Sequence, residues 1–174
     1  MGVRTLLVLL LIVGGLGAVL LLTDEKPKPK DTAEIAVLDG GSLRDGKRIW
    51  WQFENTSPIE ISRAADGGFR ISEPIVDAVS PGYLKQIVDT FDSAQMRATP
   101  IVLDDEGRKK AGLVPPPLRI IVELTGDRRF EMEVGAPGPL GSTRFVALHG
   151  KIWEASDAIY ESLRVGIEDL RDHA

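Results

Sequence analysis

An uncharged apolar run near the N-terminus constrains this chain more than any other feature of its sequence. Residues 6–22 are all Leu, Ile, Val, Ala or Gly, and Thr5 and Thr23 extend the uncharged stretch to 19 residues. As a helix, such a stretch spans about 28 Å, close to the hydrocarbon thickness of a bilayer. It is longer than the apolar region of a signal peptide, and no small-residue cleavage site follows it. We therefore expect residues 1–23 to form an uncleaved transmembrane anchor.

The residues on either side of the run bear on the orientation of this anchor. Arg4 precedes the run, whereas Lys26, Lys28 and Lys30 follow it among three acidic residues. A count of Lys and Arg alone favours the reverse orientation, but a short tail ending in Arg4 is typical of a signal anchor. We expect a cytoplasmic N-terminus and an extracytoplasmic remainder. The alternating prolines of residues 24–33 predict an extended Lys/Pro stalk, because proline fixes φ and removes a backbone donor.

The composition of the remaining chain excludes several classes of function. Residues 31–174 hold 17 Lys and Arg against 24 Asp and Glu, a formal charge of −7. Nucleic-acid binding draws its affinity from cations that neutralise phosphates, so this balance argues against a nucleic-acid partner. The chain has no Cys, which excludes a thiol nucleophile and a Cys-ligated metal. About 140 residues are enough for one domain, which we place at residues 34–174.

Alternating apolar residues dominate this domain and predict antiparallel strands. Ile49, Trp51 and Phe53 share one face of a strand, and residues 66–68 (Asp-Gly-Gly) supply a tight hairpin turn. A second hairpin is predicted around residues 125–127, and a turn at His149-Gly150.

Two segments have helical periodicity. The first begins after Ser80, with Leu84, Ile87, Val88 and Phe91 on one face. The second begins after Ser156, and its apolar positions are Ile159, Leu163, Ile167 and Leu170. The sequence thus predicts an α+β fold: a meandering antiparallel sheet with two long amphipathic helices, preceded by one transmembrane helix.

Groups suited to catalysis are few. His149 lies in a predicted turn, and His173 is next to last in the chain. The acids at positions 104–106 are consecutive, so their side chains diverge, and Glu131 and Glu133 are expected on a solvent-facing strand surface. The glycine-rich residues 135–141 contain two prolines and lack the Lys-Ser/Thr of a phosphate loop, which argues against nucleotide binding. We predict no catalytic, cofactor-binding or metal-binding residues and no enzymatic activity.

Tryptophans are the candidate contact residues. Trp50 and Trp51 are consecutive, so a regular strand must turn one of them away from the core. An outward Trp is typical of a contact surface, although burial under a linker or helix would also accommodate it. We take Trp50, Trp51 and Trp153 as the candidate interaction surface.

Several short motifs occur in the order found in one bacterial family. They lie at residues 59–63, 67–71, 112–115 (Gly-Leu-Val-Pro), 132–135 (Met-Glu-Val-Gly) and 145–146. With these motifs the chain resembles the "domain of unknown function 4340" family over most of residues 5–170. It departs from the family pattern at Phe69, where a Trp is usual, and at Ala111, where an aromatic is usual. The shared motifs are turns and core positions and carry no chemistry.

The resemblance implies a protein of the bacterial inner membrane that accompanies an ABC-type exporter. Our leading hypothesis is accordingly a non-enzymatic, membrane-anchored interaction or scaffold module of a bacterial envelope complex, with a membrane protein as partner. Two alternatives stay open. One is an envelope hydrolase whose acids converge only in the fold, and the other is a cell-wall- or carbohydrate-binding domain with an exposed Trp50 or Trp153 beside polar side chains.

Overall fold

The computed structural model describes residues 34–39 and 41–172, which belong to one compact unit. The predicted anchor at residues 1–23 and the stalk at residues 24–33 lie outside the described residues. Within the described part of the chain, no helix is long and apolar enough to cross a membrane.

Within the described residues, ten antiparallel strands form one sheet in the order β1-β6-β10-β9-β8-β7-β2-β3-β4-β5. The strands are β1 Glu34–Ala36, β2 Gly46–Phe53, β3 Ile59–Arg63, β4 Phe69–Glu73, β5 Asp77–Ala78, β6 Gln95–Ala98, β7 Leu118–Leu124, β8 Arg129–Pro137, β9 Thr143–Leu148 and β10 Lys151–Ser156. Two meanders, β2 to β5 and β7 to β10, are joined side by side where β2 pairs with β7. The expectation of an α+β fold with a large antiparallel sheet is confirmed.

The predicted turns connect strands as expected. Gly67 has φ +84° between β3 and β4, and the Asp66 carboxylate accepts a hydrogen bond from the Gly68 amide at 2.9 Å. Gly126 and Asp127 have φ +74° and +57° between β7 and β8, and His149 and Gly150 have positive φ between β9 and β10. In the β7–β8 and β9–β10 turns, positive φ at two successive residues matches the twist of antiparallel strands, which is why these short sequences determine the hairpins.

Helix α1, Pro81–Ser93, packs on one face of the sheet. Ile87, Val88 and Phe91 are buried in the main core, and Leu84 is partly buried against it, so the predicted apolar stripe is confirmed. Ser80 is the N-cap residue, but its side chain makes no capping hydrogen bond. Helix α1 therefore depends on its buried face more than on its cap.

A short helix that the sequence did not predict, α2 Asp105–Lys110, covers part of the opposite face of the sheet. The Asp104 side chain caps it by accepting a hydrogen bond from the Gly107 amide at 2.7 Å. Ala111 and Leu113, just after α2, form a second small core with residues of β9 and β10 (Ala147 and Ile152). This end of the sheet is thus covered on both faces.

The prediction of a second long helix is wrong. The C-terminal segment forms two short helices, α3 Ala158–Leu163 and α4 Ile167–Leu170, interrupted at residues 164–166. Ser156 ends β10, so it does not act as the N-cap residue of α3. The break turns α4 so that Leu170 is fully buried and its carbonyl accepts a hydrogen bond from the Ser80 amide at 2.7 Å. The C-terminal segment is therefore held by a hydrogen bond to the residue before α1, and not by continuing as one helix.

Candidate interaction surface

The two consecutive tryptophans of β2 lie on opposite faces of the sheet. Trp51 is fully buried in the main core, together with Ile49. Trp50 is half-buried on the other face. The expectation that one of the pair points away from the core is confirmed.

Two of the three candidate contact residues lie in the core. Trp51 is 0 % exposed and Trp153 is 7 % exposed, so neither presents a ring to a partner. The Trp153 indole packs in the core and donates a hydrogen bond to the Leu148 carbonyl at 2.9 Å. Their part in the predicted surface is corrected accordingly, and Trp50 remains.

Trp50 lies near the middle of a broad outer surface of the sheet. In register, it is opposite Glu60 of β3 on one side and Ile121 of β7 on the other. We call this surface the Trp50 face. It comprises the outward side chains of β2, β3, β4, β7 and β8 around that pair: Arg48, Trp50, Gln52, Glu60, Ser62, Arg70, Ser72, Glu73, Arg119, Ile121, Glu123, Arg129, Glu131 and Glu133. A register shift between Glu60 and Ile61 makes Ser72 an extra residue of β4, so that Glu73 is the residue paired with Glu60.

An arginine links two carboxylates beside Trp50. The Arg48 guanidinium lies 2.7 Å from Glu123 and 3.2 Å from Glu60, and the Ser72 hydroxyl donates to Glu60 at 2.8 Å. The hydrogen bond to Glu123 raises the pKa of Arg48 above its usual value. The bridge joins three adjacent strands, so the charged rim of the Trp50 face is held in place before any partner binds.

Glu133 is not the solvent-facing acid that its position in an alternating strand predicts. Only 15 % of its side chain is exposed, because it lies between Arg108 of α2 at 2.7 Å and Arg119 of β7 at 3.2 Å. Arg108 also donates to the Leu113 carbonyl at 3.3 Å. Residues 108–110 are the end of α2, and Arg108 ties that helix to the sheet.

The other acids are placed for structural roles. Hydrogen bonds from the Gly68 amide and from Arg70 lower the pKa of Asp66. A hydrogen bond from Lys85 lowers the pKa of Asp89. Both carboxylates are exposed and held ionised, whereas a general acid needs a raised pKa. The Asp104 carboxylate is occupied in capping α2.

The remaining candidates are scattered over the domain. His149 is exposed in its turn, with its ring edge-to-face on Phe130 at 5.7 Å, and His173 lies outside the described residues. The glycine-rich segment 135–141 begins as strand, because β8 continues to Pro137. Among residues 34–39 and 41–172, no group of three or more His, Asp or Glu side chains is arranged to hold a metal ion.

The sequence predicted Trp50 as a contact residue and placed Glu131 and Glu133 on a solvent-facing strand surface, but it did not group these residues with Arg48 and Glu60 in one surface. Arg48 and Glu60 were detectable, because each lies an even number of residues from an outward position on its own strand. The pairing of Arg48 with Glu123 was not detectable, since 75 residues separate them.

Comparison with known proteins finds no relative of this chain. No family model, no curated protein and no solved structure matches the chain.

Proposed function

We propose that this chain is a non-enzymatic, membrane-anchored interaction module of a bacterial envelope complex, and that it binds its partner through the Trp50 face. The observation that carries the proposal is a half-buried Trp50 beside Ile121, flanked by two ion pairs, Arg48 with Glu123 and Arg119 with Glu133. Aromatic residues surrounded by a polar rim are typical of the centres of protein interfaces.

The paired charges favour a role in binding a protein partner over a role in catalysis. A partner that covers the centre of this face desolvates Glu60, Glu123 and Glu133, which already have cationic neighbours, so the cost of burying them is reduced. The same arginines hold Glu60, Glu123 and Glu133 within the surface of the sheet, whereas paired catalytic acids must face each other across a substrate.

The membrane and exporter parts of the proposal rest on the sequence. The apolar run at residues 6–22 supports a single-pass anchor with an extracytoplasmic domain. The motifs shared with the "domain of unknown function 4340" family support an ABC-type exporter as the associated complex. Confinement to the membrane beside such a partner raises the effective concentration, so a surface of modest affinity is sufficient.

Site-specific photocrosslinking in intact membranes tests this proposal. A photoreactive amino acid replaces Trp50 in the full-length chain, and a matched variant carries it at Gln86, an exposed position on α1. We expect the Trp50 position to crosslink to an integral membrane protein identified by mass spectrometry as an exporter subunit, and the Gln86 position to give no such product. Equal products from both positions, or none from Trp50, would contradict the proposal.

One observation also favours a second candidate, a carbohydrate-binding domain. Trp50 is partly exposed beside the polar side chains of Glu60 and Gln52, as the sequence hypothesis for such a domain requires. Sedimentation with purified cell-wall polymer separates the two functions. Binding that is lost in Trp50→Ala, without any protein crosslink, would favour the carbohydrate.

A further inference from the structure

The residues aligned with Trp50 across the sheet form a row with a distinct charge pattern. In register from β4 to β8, the row reads Glu73, Glu60, Trp50, Ile121 and Glu131. Neighbouring strands lie about 4.8 Å apart, so the row is about 19 Å long. An apolar pair therefore lies between carboxylates, and no cationic side chain belongs to the row itself.

The cations of the Trp50 face lie in the two neighbouring rows, and each is within reach of a carboxylate. Arg70 and Arg129, in the same row as Arg48, pair with Asp66 at 3.2 Å and with Glu131 at 3.9 Å. Arg48 divides its guanidinium between Glu123 and Glu60. Arg119 pairs with Glu133, which Arg108 also approaches. Arg48, Arg119 and Arg70 thus form their ion pairs outside the two ends of the row, and among the described cations of this face only Arg129 pairs with an end residue, Glu131.

The two ends of the row keep free acceptor capacity. Glu73 is exposed and forms no ion pair with any described residue. Glu131 is 54 % exposed, and its ion pair with Arg129 is long, at 3.9 Å. A cation approaching either end therefore meets a carboxylate that is hydrated and weakly paired.

From this pattern, we infer that the row binds an extended segment of a partner protein in which two apolar side chains lie between two Lys or Arg residues. The inference rests on the proposed function and names the chemistry of the partner. An extended segment with cations six positions apart spans about 20 Å, which matches the length of the row, and its two apolar side chains, about 7 Å apart, lie over the region of Trp50 and Ile121. The net charge of −7 over residues 31–174 adds long-range attraction for such a segment.

Binding of synthetic peptides to the full-length protein in detergent tests the inference. The probe is a labelled, end-capped peptide of about seven residues, Lys-Ser-Leu-Ser-Leu-Ser-Lys, and its control replaces both Lys by Glu. Fluorescence anisotropy should show binding of the Lys peptide that weakens with added salt, and weaker or undetectable binding of the Glu peptide. Equal binding of the two peptides, or no binding of either, would overturn the inference.

Reversing the charge of a residue in the row tests whether the peptide binds there. Glu73→Lys should weaken binding of the Lys peptide about fivefold, the upper range for one exposed ion pair. The matched variant Glu34→Lys makes the same change at an exposed position on β1, at the far edge of the sheet, and should leave affinity within about twofold. Equal losses of peptide affinity in the two variants would show that only the net charge of the protein matters, and would contradict the inference.

Measuring self-association shows whether the row binds a second copy of this chain or a different protein. Because both ends of the row are acidic, two such faces repel each other, and we expect no concentration-dependent association through it. Self-association that Trp50→Ala abolishes would overturn the choice of a basic partner. If the photocrosslinks form at Trp50 while the Lys and Glu peptides bind equally, the proposed function stands and only this inference fails.

Discussion

At the scale of single residues, two glycines explain why α2 can cover the sheet. A Cβ on Gly135 of β8 would lie 2.1 Å from the Ala111 carbonyl oxygen, and a Cβ on Gly112 would lie 2.6 Å from the Cβ of Ala136. The Ala111 carbonyl accepts a hydrogen bond from the Ala136 amide at 2.9 Å, so the two backbones meet directly. The Gly-Leu-Val-Pro and Met-Glu-Val-Gly motifs thus form the two sides of one contact, which explains both without any chemistry.

We predict that Gly135→Ala destabilises the domain by about 1–3 kcal/mol, because the backbone of residue 111 must move away. The matched control is Gly82→Ala in α1, where the nearest atom to the added Cβ is the Ser80 hydroxyl at 3.9 Å. That change should be neutral or slightly stabilising, since Ala is the better helix former. Urea denaturation of both variants measures the difference. Equal midpoints would show that α2 does not rest closely on β8.

At the scale of elements, the broken C-terminal helix shows the limit of periodicity. Ile159, Leu163 and Leu170 are buried, as the helical pattern predicts, yet they belong to two helices. Gly166 is extended, with ψ 158°, and its amide donates to the Asp169 carboxylate at 3.2 Å. Beyond α4, the Asp172 amide donates to the Ala78 carbonyl at 3.1 Å, so pairing with β5 overrides the intrinsic helical preference of the segment.

Replacing Gly166 by Ala distinguishes the two conformations by the sign of its effect. In one continuous helix, Gly166→Ala would stabilise the domain by about 1 kcal/mol. In the structure Gly166 is the N-cap residue of α4, a position where Gly is preferred to Ala, so we predict a loss of about 0.5–1 kcal/mol. Thermal unfolding followed by far-ultraviolet circular dichroism gives the sign. A higher midpoint would support the continuous helix.

How far the sequence predicts each element depends on how local its cause is. The β3–β4 and β7–β8 hairpins and α1 carry their own turn residues and periodicity, and all three were predicted. By contrast, β1 has three residues and β5 has two, too few to show alternation, and each exists only through its neighbour. The Trp50 face follows the same rule. Alternation along β2 turns Trp50 outward, whereas the ion pairs around Trp50 depend on how strands that are distant in sequence align.

At the scale of the whole molecule, charge and hydropathy divide the chain into dissimilar parts. Residues 1–30 hold the apolar run with four Lys and Arg against two acids, whereas residues 31–174 are acidic. The proposed partner lies in or at the membrane. The Trp50 face can contact it only if the acidic domain is on the same side of the bilayer as the partner's binding surface. The orientation of the anchor is therefore the prediction on which the proposed function depends most.

Cysteine labelling tests that orientation cleanly, because the native chain has no Cys to label in the background. A single Cys replaces Ser57, an exposed residue in the turn between β2 and β3, and a second variant carries Cys at Val3 in the N-terminal tail. With a cytoplasmic N-terminus, a membrane-impermeant maleimide should label Ser57→Cys in intact spheroplasts and Val3→Cys only after lysis. The reverse pattern would establish the opposite orientation, which the Lys and Arg count alone favours, and would place the Trp50 face in the cytoplasm.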